Sequence, residues 1–253
     1  MLCVEIQNLA TLNLILFGLK KYRSLILERL GTSYGGWYVP SKFSELNTFD
    51  KFLISAGIGH DVSFDIEMQK KNFYVVAIDP LQECCDFAKK SKLKQSRTKI
   101  INAGLWLNSS GARFHAPKQA NHDSWSITNS QNTSSKMSKQ FPTITLDEIL
   151  QEITGDSIQK IIMLKMDIEG AELHLFKDIL KNFQKIDFVA IELDYIHLLS
   201  FIKLITRLKL ILESREILRN MKSKGFLLVK NEGFNFFWVN EMFLAKLKNE
   251  NLV

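Results

Sequence analysis

From residue 51 onward, apolar positions come in short runs, separated by stretches where they recur at helical spacing. Runs bounded by Gly, Pro, Asn and Asp predict strands at 51–57, 73–79, 98–103, 161–167, 186–192, 226–230 and 234–239. The helical spacing predicts helices over 62–71, 83–90, 146–151, 172–181 and about 199–222. This alternation is the pattern of an α/β fold built on a mostly parallel sheet. Asn231-Glu-Gly233 is a hairpin signal, so the last two strands are expected to form an antiparallel C-terminal hairpin. Residues 105–141 break the alternation, with a turn signal at Asn108-Ser-Ser-Gly111 and then a stretch rich in Ser, Asn and Thr. An irregular segment of that length is usually functional, and 121–140, which contains Trp125, is the candidate lid or substrate loop. Ahead of the sheet, Leu12, Leu14, Ile15, Phe17 and Leu19, then Leu25, Ile26 and Leu30, fit a helix with a wide apolar face. The expected organisation is an N-terminal helical cap over 1–48 and one compact unit over 49–253.

Composition narrows the class. Among 253 residues, 46% are hydrophobic and 24% charged, with 12 Gly and 4 Pro, which excludes disordered, collagen-like and low-complexity chains. The net charge of +6 would suit an anionic partner, but 27 acidic residues are interspersed among 33 basic ones. The basic runs are short and lack interleaved aromatics, so no nucleic-acid partner is expected. Three cysteines, two of them adjacent at Cys84 and Cys85, show no zinc spacing and suggest reduced thiols in a cytoplasmic protein. The apolar stretch 9–19 is far shorter than the roughly twenty residues that cross a bilayer, so no transmembrane segment is expected. No basic segment precedes it and no small-residue cleavage site follows, which argues against a signal peptide. Its apolar face is a candidate homodimer surface.

Two strand ends carry chemistry. Ser55-Ala-Gly57-Ile-Gly59-His-Asp61 runs from a strand through a glycine turn into a helix, where glycine lets the backbone approach a ligand. About twenty residues on, the next strand ends in Asp79-Pro80, and a carboxylate there can accept both hydroxyl protons of a ribose. Val62 stands where a dinucleotide fingerprint needs its third glycine, and no Gly-Lys-Ser/Thr ending makes a P-loop. S-adenosylmethionine, with a ribose and no pyrophosphate, fits better than NAD, although a NAD-dependent oxidoreductase stays open. The second strand end is Lys165-Met-Asp167-Ile-Glu169-Gly170-Ala-Glu172, a buried strand that turns abruptly charged. Ligands of open α/β sheets bind outside the carboxyl ends of the strands, so Asp167 and Glu169 should face the same crevice as Gly57 and Asp79.

With these motifs in hand, the sequence resembles the FkbM-type S-adenosylmethionine-dependent methyltransferases over roughly residues 36–239. The resemblance rests on 164–172, on the glycine turn 55–65, on Ala190-Ile-Glu192-Leu-Asp194, on Thr145-Leu-Asp147 and on Gly225-Phe226. It departs at His60, where a smaller polar residue such as Asn would be expected. The resemblance implies a class I, Rossmann-like methyltransferase domain, S-adenosylmethionine as donor, and a hydroxyl acceptor on a sugar, glycan or secondary metabolite.

A neutral hydroxyl is a poor nucleophile until a base takes its proton. Asp167 is the first candidate for that base, with Glu169 and Glu192 as alternatives that would otherwise orient the substrate. These carboxylates would suit magnesium or calcium, but without a clear fourth ligand no metal is expected. Lys165, on the face of Asp167, either compensates burial or serves the substrate. His197 follows Glu192 closely enough to reach the crevice. Trp37 and Tyr38 either pack on the cofactor's cationic end or pin the N-terminal helix to the core. Asn102 and Ala103 end the third strand, where the adenine is expected. Glu172 reads as a helix-dipole partner. A protein or nucleic-acid methyltransferase, and a cofactor-binding module without turnover, are the competing functions. Amino methylation of bases typically needs an Asn/Asp-Pro-Pro-Tyr turn, and the corresponding place holds Asp167-Ile-Glu169.

Overall fold

The computed structural model describes residues 21–22, 25–46, 49–118, 124–128, 133–153, 160–193 and 204–249, with side chains 134–136, 204–207, 210, 246, 248 and 249 left aside. Among the described residues, thirteen strands and six α-helices follow in order. They are β1 Leu27–Leu30, β2 Trp37–Pro40, β3 Asp50–Ala56, α1 Ser63–Lys70, β4 Phe73–Asp79, α2 Gln82–Lys90 and β5 Thr98–Asn102. Then come β6 Gly104–Leu105, β7 Ala112–Pro117, β8 Thr133–Phe141, β9 Thr143–Ile144, α3 Leu146–Ile153, β10 Lys160–Met166 and α4 Glu172–Lys181. The chain continues with β11 Phe188–Glu192, α5 Leu204–Ser223, β12 Phe226–Glu232, β13 Asn235–Asn240 and α6 Glu241–Asn249.

Seven strands form one sheet in the order β12-β13-β11-β10-β3-β4-β5. Pairing is parallel from β11 through β5, and β13 runs antiparallel to both β11 and β12. The expected mostly parallel sheet with an antiparallel hairpin at its end is therefore observed, with β13 as the reversed strand. Strand order reverses between β3 and β10, so a crevice opens at their carboxyl ends.

Side-chain alternation explains why both faces are covered. In β10, Ile162, Leu164 and Met166 pack with α3, α4 and α5, through residues such as Leu150, Leu175, Phe176 and Leu218. The intervening Ile161 and Met163 turn to the other face, toward Phe64 and Met68 of α1, Cys84 of α2, and Phe243 of α6. That second face also buries Trp37 and Val39 of the small β1–β2 hairpin. Much of the phenylalanine content lies here: Phe188 stacks on Phe237 with centroids 5.8 Å apart and meets Phe43 edge-on at 4.9 Å.

Two expectations are overturned. The N-terminal helix does not continue to Leu30: Leu27–Leu30 pair with Trp37–Pro40 as an antiparallel hairpin. Its helical spacing arises because Leu25 and Leu30 are both buried by the second core face, while Ile26 stays exposed. Residues 1–20, which carry the rest of the expected cap helix and the dimer face, lie outside the described residues. The segment 105–141 is not irregular throughout, because β7 pairs with β8 and β6 with β9. The Ser- and Thr-rich β8 gives no apolar alternation to read, since its backbone pairing with β7 supplies the order. Residues 121–123 and 129–132 of the expected lid lie outside the described residues. The C-terminal helix α6 was not anticipated; Phe243, Leu244 and Leu247 bury its inner face.

Gly57 fixes how closely the central strands approach. Its φ is +74°, and a Cβ there would overlap the Asp167 carbonyl oxygen. Gly57→Ala is expected to cost at least about 2 kcal/mol, because backbone rather than a flexible side chain must move. Denaturant unfolding at constant m-value checks it.

Candidate functional site

A cavity of about 810 Å³ opens at the switch point. Its walls include the glycine turn (Gly57–Asp61), the end of β4 (Ile78–Pro80), Ala103–Leu105, the start of the β10–α4 turn (Asp167–Glu169), and Trp125. The glycine turn, the end of β4 and the β10–α4 turn are places where the local sequence makes a strand stop. Gly57, at φ +74°, and Gly59, at φ +49°, turn the chain after β3. The amide of Gly57 still donates to Ile78 O at 3.0 Å, and the Asp167 amide to Ala56 O at 3.1 Å, so the three strand ends stay stitched together.

Asp79 is the hub of the turn. Its Oδ2 accepts from the amides of Ile58 at 3.2 Å and Gly59 at 3.1 Å, and its Oδ1 from Leu81 at 2.9 Å. Lys165, 6% exposed, donates its ammonium to the Gly57 carbonyl and stands 3.7 Å from Asp167 Oδ2. One cation thus ties the glycine turn to the charged end of β10. Glu169 has a φ of +59°, sparsely populated for a non-glycine residue. Its carbonyl accepts from Ser126 Oγ at 2.5 Å and Thr128 Oγ1 at 3.5 Å, so the described part of the expected lid grips this turn.

Of the residues singled out from sequence, Gly57, Gly59, Asp61, Asp79, Pro80, Ala103, Lys165, Asp167 and Glu169 all line the cavity. Ser55 and Ala56 are buried in β3 beneath it. Glu192 ends β11 one position beyond the Met166–Ile191 pair, beside Asp167. Asn102 is turned aside: its amide donates to Asp79 O at 3.2 Å and Pro80 O at 3.0 Å, so it braces the β4 end. Trp37 and Tyr38 sit elsewhere, in a shallow depression with Lys230 and Glu232. The Lys230 ammonium lies 4.4 Å from the Tyr38 ring centroid, and the Tyr38 hydroxyl donates to Glu232 at 3.3 Å. These aromatics pin the hairpin to the sheet edge. His197 lies outside the described residues. Among the described residues no group of three His, Cys, Asp or Glu side chains is placed to hold a metal ion.

Sequence reading missed Asp65, Glu83, Phe114 and the tip of the first hairpin, all of which line the cavity. Asp65 carried a signal, an acid on the apolar side of a helix beside a buried strand lysine. The hairpin tip carried only Gly35-Gly36.

The family described as the Methyltransferase FkbM domain matches residues 38–228. Among solved structures the chain is similar to a METTL16 MTase domain (crystal form 2) at 13% identity and a TM-score of 0.39, covering 92% of this chain and 79% of that one. A second METTL16 MTase domain structure gives 13% identity and a TM-score of 0.38, covering 92% and 78%. No curated protein matches.

The carboxyl groups around Lys165 are unequal. Burial raises Asp65 and Asp79, against hydrogen bonds and the attraction of Lys165. Burial likewise pushes Glu192 to about 7, and the Asp167 charge adds to the rise. Glu172 is fully buried at the start of α4, where its Oε1 accepts the Ile168 amide at 2.9 Å. Burial, with Asp167 and Glu169 nearby, raises it from 4.5 to about 8. Such a group keeps its proton in the folded chain and gives it up near 4.5 in the unfolded one. The unfolded state then binds fewer protons, so stability falls as pH rises from about 4.5 to about 8. Glu172→Gln keeps the acceptor for Ile168 and has no proton to lose. It is expected to flatten the decline, which urea unfolding at pH 5 and pH 8 measures.

Proposed function

The chain belongs to the FkbM methyltransferase family, and we propose that it methylates a hydroxyl oxygen of a sugar, glycan or secondary metabolite. Its sheet order and reversed penultimate strand are those of a class I methyltransferase, and S-adenosylmethionine is the methyl donor.

The residues present suit that cofactor. The glycines leave the turn backbone uncovered, and the cavity volume of about 810 Å³ lies in the range of small-molecule sites. Asp79 Oδ2 accepts two backbone amides and Oδ1 one, which leaves Oδ1 a lone pair for a ribose hydroxyl. Ala103 and Gly104 line the cavity past β5, where a methyl group and a bare backbone leave room for an adenine. When bound, S-adenosylmethionine supplies an electrophilic methyl group.

The observation that carries the hydroxyl acceptor is the pairing of Asp167, in the cavity, with Glu192, held at about 7 beside it. Two neighbouring carboxyl groups, one of them near neutrality, can take the proton that an attacking hydroxyl must lose. In this reading Asp167 meets the acceptor hydroxyl, and Glu192 tunes the site from behind. Lys165 offsets the gathered negative charge and keeps the Asp167 carboxylate oriented. Ser124, Trp125 and Ile127, from the expected lid, form the acceptor wall. Positioning of the acceptor oxygen supplies much of the remaining rate enhancement.

Asp167→Asn is expected to bind S-adenosylmethionine within about threefold of wild type while lowering methyl transfer at least about 100-fold. Calorimetry, and transfer of labelled methyl to a glycan panel, give the two readouts; near-normal turnover would remove Asp167 as the base. Trp125→Ala should raise the acceptor KM several-fold with cofactor affinity unchanged, and an equal loss of cofactor binding would disprove the acceptor wall.

A further inference from the structure

The tip of the β1–β2 hairpin is tied to the cofactor turn by side chains far from it in sequence. Asp61 Oδ2 accepts the Thr32 hydroxyl, and Oδ1 accepts the Ser63 amide at 2.8 Å. The Thr32 amide in turn donates to Ser63 Oγ at 2.9 Å, and the Gly35 amide to Thr32 Oγ1 at 3.0 Å. Burial opposes ionisation of Asp61, but the Ser63, Thr32 and Gly35 donors outweigh it and keep the carboxyl below its usual range. Packing is equally close. A Cβ on Gly35 would stand 2.7 Å from Asp61 Oδ2, and one on Gly31 3.0 Å from the Phe64 amide nitrogen.

A turn that merely reversed the chain would need none of these cross-links. Arg29 already braces it from within, donating to Ser33 O at 3.0 Å and Gly36 O at 3.1 Å. The links to Asp61 have another effect: they carry Thr32, Tyr34 and Gly35 to the wall of the same cavity as Gly57–Asp61. There Tyr34, a large aromatic, is 86% exposed at the cavity wall.

We propose that Asp61 is a positioning residue whose carboxylate latches the hairpin tip to the glycine turn, so that Tyr34 forms a cofactor-contacting wall that S-adenosylmethionine covers on binding. An aromatic face in that place attracts a sulfonium or ammonium. The latch orders the wall beforehand, so less freedom is lost when the ligand arrives. Asp61 thus acts on the cofactor through Tyr34. Trp37 and Tyr38, which the sequence leaves open between a cofactor contact and a packing role, lie away from the cavity.

The test measures S-adenosylmethionine affinity by calorimetry for wild type, Thr32→Val, Thr32→Ser and Tyr34→Ala. Backbone amide exchange at residues 32–36, with and without S-adenosylhomocysteine, is the second readout. Thr32→Val removes the donor at constant shape and is expected to weaken binding at least fivefold. Thr32→Ser restores it, and Tyr34→Ala matches the valine variant. S-adenosylhomocysteine, the product left by methyl transfer, is expected to slow exchange at the tip in wild type and not in Thr32→Val. Wild-type affinity in Thr32→Val, or an unchanged exchange rate on binding, overturns the latch while leaving the cofactor assignment intact. Failure of wild type to bind either adenosyl compound overturns the assignment and the latch together.

Discussion

The site depends on the contact of two parallel strand ends at Gly57. Strands β3 and β10 are hydrogen-bonded neighbours, and at their carboxyl ends the chain after β3 must pass within backbone contact of Asp167. Only a residue without a Cβ, at positive φ, permits this. From that one approach follow the placement of the Gly57 carbonyl over Lys165, the aim of the Ile58 and Gly59 amides at Asp79, and the start of α1. The crevice of the doubly wound sheet becomes a defined cavity because the turn has this single available path.

Charge is arranged around the same point. Lys165 is buried, and a buried ammonium without partners is costly. Its compensation comes from the Gly57 carbonyl and from Asp167, with Asp65, Asp79 and Glu192 also within reach of its field. The acids share one cation, so they cannot all be ionised at equal cost. Those deepest in the protein, Glu172 above all, are the ones whose ionisation is most opposed. Asp167 is about one-third exposed and opens to the cavity. Graded burial thus separates the enclosed carboxyl groups from Asp167, which alone of them combines the ion pair to Lys165 with a place on the cavity wall.

The sheet was legible because each of its strands is an apolar run ending in a Gly, Pro or charged turn, and the cavity residues were legible because they occupy those ends. What escaped reading has a different physical basis. The β1–β2 hairpin was hidden because Leu25 and Leu30 satisfy a helical spacing while their burial comes from packing against α1 and the sheet. β8 was hidden because its run of Ser, Lys and Gln carries no periodic apolar signal, and its pairing with β7 supplies the order. Trp37 and Tyr38 could by pattern serve either a cofactor or the packing of the N-terminal segment; the hairpin turns them to the sheet edge and puts Tyr34 at the cavity. Local pattern records which face of an element is buried; it does not record which distant loop arrives to cover it.

Glu169 shows how the two halves of the site are coupled. A non-glycine residue at φ +59° costs of order 1–3 kcal/mol and persists only when its neighbours over-determine it. Here the neighbours are Ser126 and Thr128, whose hydroxyls donate to its carbonyl, and Glu172, whose carboxyl secures the preceding Ile168 amide. The strained turn is therefore held from the 124–128 segment on one side and from the helix start on the other. Any shift of the 124–128 segment reaches Glu169 directly, and through the short turn reaches Asp167. On the proposed chemistry, an acceptor that seats well against Trp125 would also set the carboxylate that takes its proton, and one that seats poorly would misplace both at once.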